Sequence, residues 1–168
     1  MSVVMLTGGC ASVDETSSKR ESEPEMRNSR EVVDEVGRLS SRILEMTRVK
    51  AKVTEPGPYA STCPGSRYED DLRWVRHPWS MYGVDREILQ KGWENLLQQL
   101  PEQGDWKVVR RGRDKSRNRN LELYAVHVKT QTKLEVAWLS DPGGDKPLLE
   151  VTLYSRCYRM SVGKSTGS

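Results

Sequence analysis

The sequence predicts an α+β fold in which two helices pack on one face of a four-stranded antiparallel meander sheet. Two segments, about 29–47 and 85–101, repeat apolar residues at steps of three and four, which is the period of an amphipathic helix. After residue 106 the apolar residues alternate at a period of two, as strands require. The links between these later segments are short and favour antiparallel neighbours. The chain has 168 residues, the length of one domain.

The first helix is predicted over residues 29–47. Asn28, followed three residues later by Glu31, resembles a capping box. Gly37 lowers the intrinsic helix propensity, so this helix needs a surface to pack against. Its apolar stripe is interpreted as core and consists of Val32, Val36, Leu39, Ile43 and Met46.

Residues 55–83 are predicted to form a long irregular region, opened by the turn-forming sequence EPGP. Asp85 then offers an N-cap to the second helix, which Pro101 is expected to end. The apolar face of this helix consists of Ile88, Leu89, Trp93, Leu96, Leu97 and Leu100.

Four strands are predicted in the second half of the chain, and the two helices are expected to cover their apolar face. In the last strand Leu153 and Cys157 are expected to share a face, because they are an even number of residues apart. The predicted strands are 106–111, 120–128, 133–139 and 148–158.

The N-terminus, residues 1–10, resembles a truncated signal with a bacterial lipobox, LTGGC. In that motif small residues let the peptidase approach, and the cysteine, here Cys10, receives a diacylglycerol. Thr7 stands where an aliphatic residue is usual, and no Lys or Arg precedes the cysteine, so we interpret Met1 as a misplaced start. The alternative is a cytosolic protein with an accidental Gly-Gly-Cys.

Three cysteines occur, and a lipid on Cys10 leaves Cys63 and Cys157 as an even pair. In an oxidising compartment the pair is expected to form a disulfide, with Cα atoms about 4.4–6.8 Å apart. The alternative is two buried free thiols.

The sequence divides into four parts by composition. Residues 11–27 are rich in Ser and Glu and predict a disordered tether, 28–160 the single α+β domain, and 161–168 a flexible tail. No run approaches the roughly 18 apolar residues that a membrane-spanning helix needs. Membrane association is therefore expected through the lipid.

Several motifs together resemble small envelope lipoproteins of actinomycetes, over about residues 6–160. They are LTGGCAS, a helix leading into KVTEPGP, VRHPWSMYGV before a helix, KSRN followed by LEL, and a late cysteine in a terminal strand. The resemblance implies an extracytoplasmic, envelope location and this domain layout. It implies no activity.

A candidate ligand-binding loop surrounds His77. His127, the other histidine, is in phase with the apolar residues of its strand and is interpreted as a packed or surface side chain. Trp and Tyr offer stacking faces and an arginine can hold an anion. The alternative is that the aromatic residues only pack a long loop onto the sheet. The candidate residues are Trp74, Arg76, His77, Trp79 and Tyr82.

A basic hairpin, residues 107–119, has a local net charge of +6 against +3 for the whole chain. It is a candidate to bind phosphates of wall polymers or lipid headgroups, and the alternative is a solvated loop. Because no aromatic residues are interleaved, nucleic acid is disfavoured as a partner. The candidate anion-binding residues are Arg110, Arg111, Arg113, Lys115, Arg117 and Arg119.

The sequence contains no metal-binding spacing such as Cys-x-x-Cys or His-Glu-x-x-His, so no metal and no cofactor are predicted. No catalytic constellation of nucleophile, base and orienting group is visible. We therefore expect a non-enzymatic, membrane-tethered binding or interaction module of the cell envelope, with an anionic envelope polymer or another envelope protein as partner. The alternatives are an envelope hydrolase centred on His77 and a polyanion-sensing module that uses the basic hairpin.

Overall fold

The computed structural model describes residues 23–54, 56–139 and 146–161. These residues form the predicted α+β fold, with two helices and a sheet of nine strands. In chain order the elements are β1 (Met26–Arg27), α1 (Ser29–Thr47), β2 (Lys52–Val53), β3 (Tyr59–Thr62), β4 (Leu72–Tyr82), α2 (Arg86–Glu102), β5 (Trp106–Arg113), β6 (Leu121–His127), β7 (Lys133–Leu139), β8 (Leu148–Tyr154) and β9 (Tyr158–Met160).

The sheet is larger than the predicted four-stranded antiparallel meander, and it is mixed. Its order is β1-β9-β4-β8-β7-β6-β5, and both β2 and β3 pair with β4. The predicted meander is present as β5, β6, β7 and β8, which are successive antiparallel neighbours. The prediction of four strands was wrong because β4 joins this meander as a further strand, and because β1 adds a parallel pair with β9.

Both helices form where their apolar periods predict them. Asn28 caps α1, and its side-chain oxygen accepts a hydrogen bond from the backbone N–H of Arg30 at 2.9 Å. Asp85 occupies the N-cap position of α2. This helix ends one residue beyond Pro101, because the proline lies in the last turn, where it removes a single donor and Gln103 still donates to the Gln99 carbonyl at 3.1 Å.

The helices pack on one face of the sheet and bury it. β4 contributes Val75, Trp79 and Met81 to this core, where they meet the apolar stripes of α1 and α2. The opposite face of the sheet, here called the open face, is the one away from α1 and α2, whose buried residues belong to this core. The remaining core residues from the sheet are Leu123, Ala125, Leu134, Val136, Trp138, Leu149, Val151 and Leu153.

The predicted irregular region 55–83 contains β3 and the longest strand, β4, so this prediction was wrong. Pro78 in the middle of β4 is the reason for the error, because proline cannot donate to a sheet ladder. The structure accommodates Pro78 between the part of β4 that pairs with β3 and the part that pairs with β2. On the side of β4 away from β8, the Ser80 carbonyl accepts a hydrogen bond from the Thr54 N–H, and the Ser80 N–H donates to the Thr54 hydroxyl.

The disulfide between Cys63 and Cys157 is present, with Cα atoms 5.7 Å apart, which confirms the predicted pairing. Cys157 does not share the face of Leu153, however. The ladder is interrupted between β8 and β9, where the Ser155 hydroxyl accepts a hydrogen bond from the Val75 N–H at 2.9 Å. This interruption shifts the alternation, so that Tyr158 is buried next to α1 and Cys157 is not.

Cys10 and the part of the predicted tether before residue 23 lie outside the described residues, as does the tail beyond residue 161. The end of the predicted tether forms β1, and Arg27 makes an ion pair with Glu35 of α1 at 3.0 Å. Neither helix in the described ranges is long and apolar enough to cross a membrane.

Candidate binding surface on the open face of the sheet

The five candidate ligand-binding residues all lie on β4, and the alternation of the strand separates them. Trp74, Arg76 and Tyr82 have the phase of the open face, whereas His77 and Trp79 have the phase of the buried positions under the helices. The structure therefore does not bring the five residues into one pocket. Three lie on the open face of the sheet, and two lie on the face that the helices cover.

Trp79 belongs to the core. Its side chain is 5% exposed, and its indole N–H donates to the Ser40 hydroxyl on α1 at 2.7 Å. This contact fixes α1 on the sheet. Trp79 therefore packs between the sheet and α1 from a strand, and not from a loop lying on the sheet.

An aromatic–cation cluster, consisting of Trp74, Tyr154 and Arg76, lies on the open face. The rings of Trp74 and Tyr154 are stacked, with centroids 5.0 Å apart and planes at 19°. The Arg76 guanidinium is 5.7 Å from the Trp74 ring and 5.4 Å from the Tyr154 ring. At these distances the guanidinium makes cation–π contacts with both rings, and these contacts hold it in place.

Two hydrogen bonds orient the rings of this cluster. The Trp74 indole N–H donates to the Ser61 hydroxyl on β3 at 2.8 Å, and the Tyr154 hydroxyl donates to Glu135 on β7 at 3.3 Å. The Nε atom of Arg76 is buried and has no hydrogen-bond partner among the described residues. The cluster is therefore positioned by four strands, β3, β4, β7 and β8, and the Arg76 Nε donor has no partner among the described residues.

A cleft of about 730 Å³ adjoins the cluster. The disulfide forms part of its wall, and the first described residues of the chain, Glu23 and Pro24, also line it. Among the lining residues Lys133 and Arg156 carry positive charge, and Glu23 carries negative charge. The other lining residues are Pro64, Trp74, Val126, Gln131, Tyr154 and Ser155.

His77 faces a smaller cavity of about 350 Å³ under α1. Its Nδ1 atom is buried and has no hydrogen-bond partner among the described residues. Two serines of α1 also line this cavity, but the Ser40 hydroxyl accepts from Trp79 and the Ser41 hydroxyl donates to the Gly37 carbonyl. Neither serine hydroxyl is therefore hydrogen-bonded to His77 Nδ1.

Burial lowers the pKa of His77 from its ordinary value of 6.5, since desolvation disfavours the imidazolium. The unfolded chain therefore takes up this proton first, and the His77 contribution to stability is lost as pH falls from about 6.5 through the lowered pKa. We expect the urea midpoint of the wild type to fall between about pH 7.5 and about pH 5, and that of His77→Gln to fall less. An equal fall in both proteins contradicts this assignment.

His127 closes the β6–β7 turn. Its Nδ1 atom lies 2.9 Å from the Thr130 hydroxyl and accepts from the Thr130 N–H at 3.3 Å, and its ring packs edge-on against Trp106. Burial, as the largest cause, lowers the pKa of this histidine as well. These contacts agree with its interpretation as a packed side chain.

The basic hairpin consists of the edge strand β5 and the turn that follows it. Arg110 is paired with Glu122 at 3.3 Å and lies 4.0 Å from the Tyr124 ring centroid. Arg113 donates to the Arg119 carbonyl at 2.8 Å. Asp114 organises the turn, and hydrogen bonds from Ser116 first of all, and from Asn120, lower its pKa. Lys115 and Arg117 are exposed, as is Arg111.

Sequence reasoning missed Tyr154, Lys133 and Ser61 as neighbours of Trp74 and Arg76. A strand assignment for β4 reveals them, because the register then aligns Arg76 with Tyr154 and Ser61 with Trp74. Among the described residues no group of three or more His, Cys, Asp or Glu side chains is arranged to hold a metal ion.

The fold and this surface define a two-layer α+β domain in which neither described α-helix covers the second face of the sheet. No protein-family model matches the chain, and comparisons with curated proteins and with solved structures also find no match. The geometry of the open face is therefore the basis for a functional conclusion.

Proposed function

We propose that this protein is a non-enzymatic binding module of the bacterial cell envelope, tethered to the membrane by a lipid on Cys10, with the open face as its binding surface. The observation that carries the proposal is the aromatic–cation cluster beside the 730 Å³ cleft, on the sheet face opposite the two described α-helices. Aromatic rings with a polar handle and a guanidinium are typical of recognition surfaces.

Binding is favoured over catalysis by the chemistry of the groups that meet. The cluster contains no histidine, and His77 lies on the opposite face of the same strand. The cluster is also preorganised, because its rings are fixed by Ser61 and Glu135 before a ligand arrives. Preorganisation raises affinity by reducing the ordering cost of binding.

The path of the chain relates the cleft to the proposed anchor. Glu23 and Pro24 line the cleft, so the segment that leads from Cys10 meets the domain beside it. At about 3.3–3.6 Å per residue, the segment between Cys10 and Glu23 spans less than about 50 Å even when fully extended. A lipid on Cys10 therefore keeps Glu23, which lines the cleft, within about 50 Å of the membrane surface.

Cell fractionation followed by envelope sedimentation tests the proposal. The full-length protein is expected in the membrane fraction and the Cys10→Ala variant in the soluble fraction. The soluble Cys10→Ala protein is then expected to sediment with washed cell envelopes, whereas the same protein with Trp74→Ser and Tyr154→Ser stays in the supernatant. Losing a stacked pair and the surface around it removes the main apolar contacts of the site.

The matched control is Tyr68→Ser, which changes a tyrosine that is 76% exposed. Near-ultraviolet circular dichroism checks that each variant keeps the native packing. Membrane association that survives Cys10→Ala contradicts the lipid anchor. Envelope sedimentation that is absent, or unchanged by the Trp74 and Tyr154 substitutions, contradicts the open face as the binding surface.

A further inference from the structure

A row of six side chains, here called the cationic row, crosses the open face at right angles to the strands. Each member is aligned with the next by the strand register, from β3 at one side through β4, β8, β7 and β6 to the edge strand β5. In this order the row consists of Tyr59, Arg76, Tyr154, Lys133, Val126 and Lys107.

The cations of the row recur at every second strand. Arg76, Lys133 and Lys107 alternate with Tyr154 and Val126, and neighbouring strands lie about 4.7–4.9 Å apart. Successive positive charges are therefore anchored roughly 10 Å apart at the backbone. An aromatic or aliphatic side chain fills each interval, and Tyr59 continues the pattern at the β3 side.

The three cations of the row form no ion pair with another described residue. Among the described residues, no carboxylate lies within ion-pair distance of Arg76, Lys133 or Lys107. In the adjacent row, by contrast, Arg110 is paired with Glu122. A protein surface that leaves aligned cations without partners is complementary to an anionic ligand that lies along them.

We propose, on the basis of the binding function proposed above, that the ligand of the open face is an anionic polysaccharide with one acidic group on every second sugar ring. Two linked sugar rings match the interval between successive cations. The acidic groups then meet Arg76, Lys133 and Lys107, and the C–H faces of the sugar rings pack against the tyrosines. The cleft beside Tyr154 and Lys133 accommodates the middle of the chain.

The spacing disfavours nucleic acid. A DNA duplex carries a phosphate about every 3.4 Å along each strand, a much denser series of charges than this row presents. The Trp74 and Tyr154 rings are also stacked on each other, which leaves no gap for a base between them.

Calorimetric titration of the soluble full-length Cys10→Ala protein with hyaluronan oligosaccharides tests the proposal, because this polymer has one carboxylate per disaccharide. We expect the affinity to fall as added salt shortens the electrostatic screening length to about 8 Å. Adding Arg76→Gln and Lys133→Gln is expected to weaken binding about tenfold or more, since each removes a charge-assisted hydrogen bond. The control Arg38→Gln with Lys50→Gln removes two exposed cations elsewhere and is expected to leave affinity unchanged.

Three outcomes overturn the polysaccharide proposal: no binding of hyaluronan, equal binding of neutral dextran, or tighter binding of duplex DNA. An equal loss in the control variant overturns it too, because binding then follows net charge alone. Envelope sedimentation separates this failure from failure of the proposed function. Sedimentation that needs Trp74 and Tyr154 but survives Arg76→Gln with Lys133→Gln indicates a different envelope ligand and leaves the binding function in place.

Discussion

Replacing Trp79 by Ala is expected to lower the free energy of unfolding by about 3–5 kcal/mol. The side chain is 5% exposed, so its removal leaves a cavity between α1 and β4. It also leaves the Ser40 hydroxyl, which is 2% exposed, without the indole N–H as its partner. Urea unfolding followed by circular dichroism measures this loss.

Two matched variants separate the contribution of packing at Trp79 from that of its hydrogen bond, and compare the core face of β4 with the open face. Trp79→Phe keeps a buried ring but loses the bond to Ser40, and we expect it to cost about 1–3 kcal/mol. Trp74→Ala loses a stacked pair that contributes about 0.5–1.5 kcal/mol beyond the burial of its half-buried side chain, and it is expected to cost less than Trp79→Ala. If Trp74→Ala destabilises the protein as much as Trp79→Ala, the division of β4 into a core face and an open face is wrong.

Removing the disulfide is expected to have a similarly large effect. Cys63 and Cys157 are 94 residues apart, and on the chain-entropy model a link across that separation contributes about 4–5 kcal/mol by restricting the unfolded chain. The double variant Cys63→Ala with Cys157→Ala is therefore expected to unfold at a much lower urea concentration than the oxidised protein, with an unfolding free energy reduced by about that amount.

The wild type treated with a reductant supplies the matched control for the disulfide. Reduction is expected to bring its stability close to that of the double variant, whereas the same reductant leaves the double variant unchanged. Since the bond also forms part of the cleft wall, reduction is expected to weaken hyaluronan binding along with stability. Equal stability of oxidised wild type and double variant would falsify the structural role of this bond.

The helices and the meander are the parts that sequence patterns predict well. The apolar stripe from Val32 to Met46 needs only one helix and one surface to bury it, so its period defines α1 to within a residue. The same holds for β7, where Leu134, Val136 and Trp138 alternate strictly with partly exposed neighbours. In both elements the spacing of the apolar side chains is enough to predict which face is buried.

The sequence of β4 does not show such a clear alternation of apolar and polar residues. Arg73 and His77 occupy positions on the buried side, and Pro78 interrupts the donors of the strand, so its composition resembles that of a loop. It becomes a strand because its neighbours supply the pairing: β8 pairs with its second half, while β9 and β3 pair with its first half. These partners are distant in sequence, and a local pattern does not contain them.

The sequence by itself determined the α+β class, both helices and the meander, because each follows from local periodicity. It predicted the pairing of Cys63 with Cys157 only through the lipid expected on Cys10, with two free thiols as the alternative. Only the tertiary structure decided which candidate residues meet. Register alone aligns Arg76 with Tyr154 and Lys133, and a shift by one residue exchanges the two faces of a strand. The open face and its cationic row therefore depend on long-range strand pairing, which fixes that register.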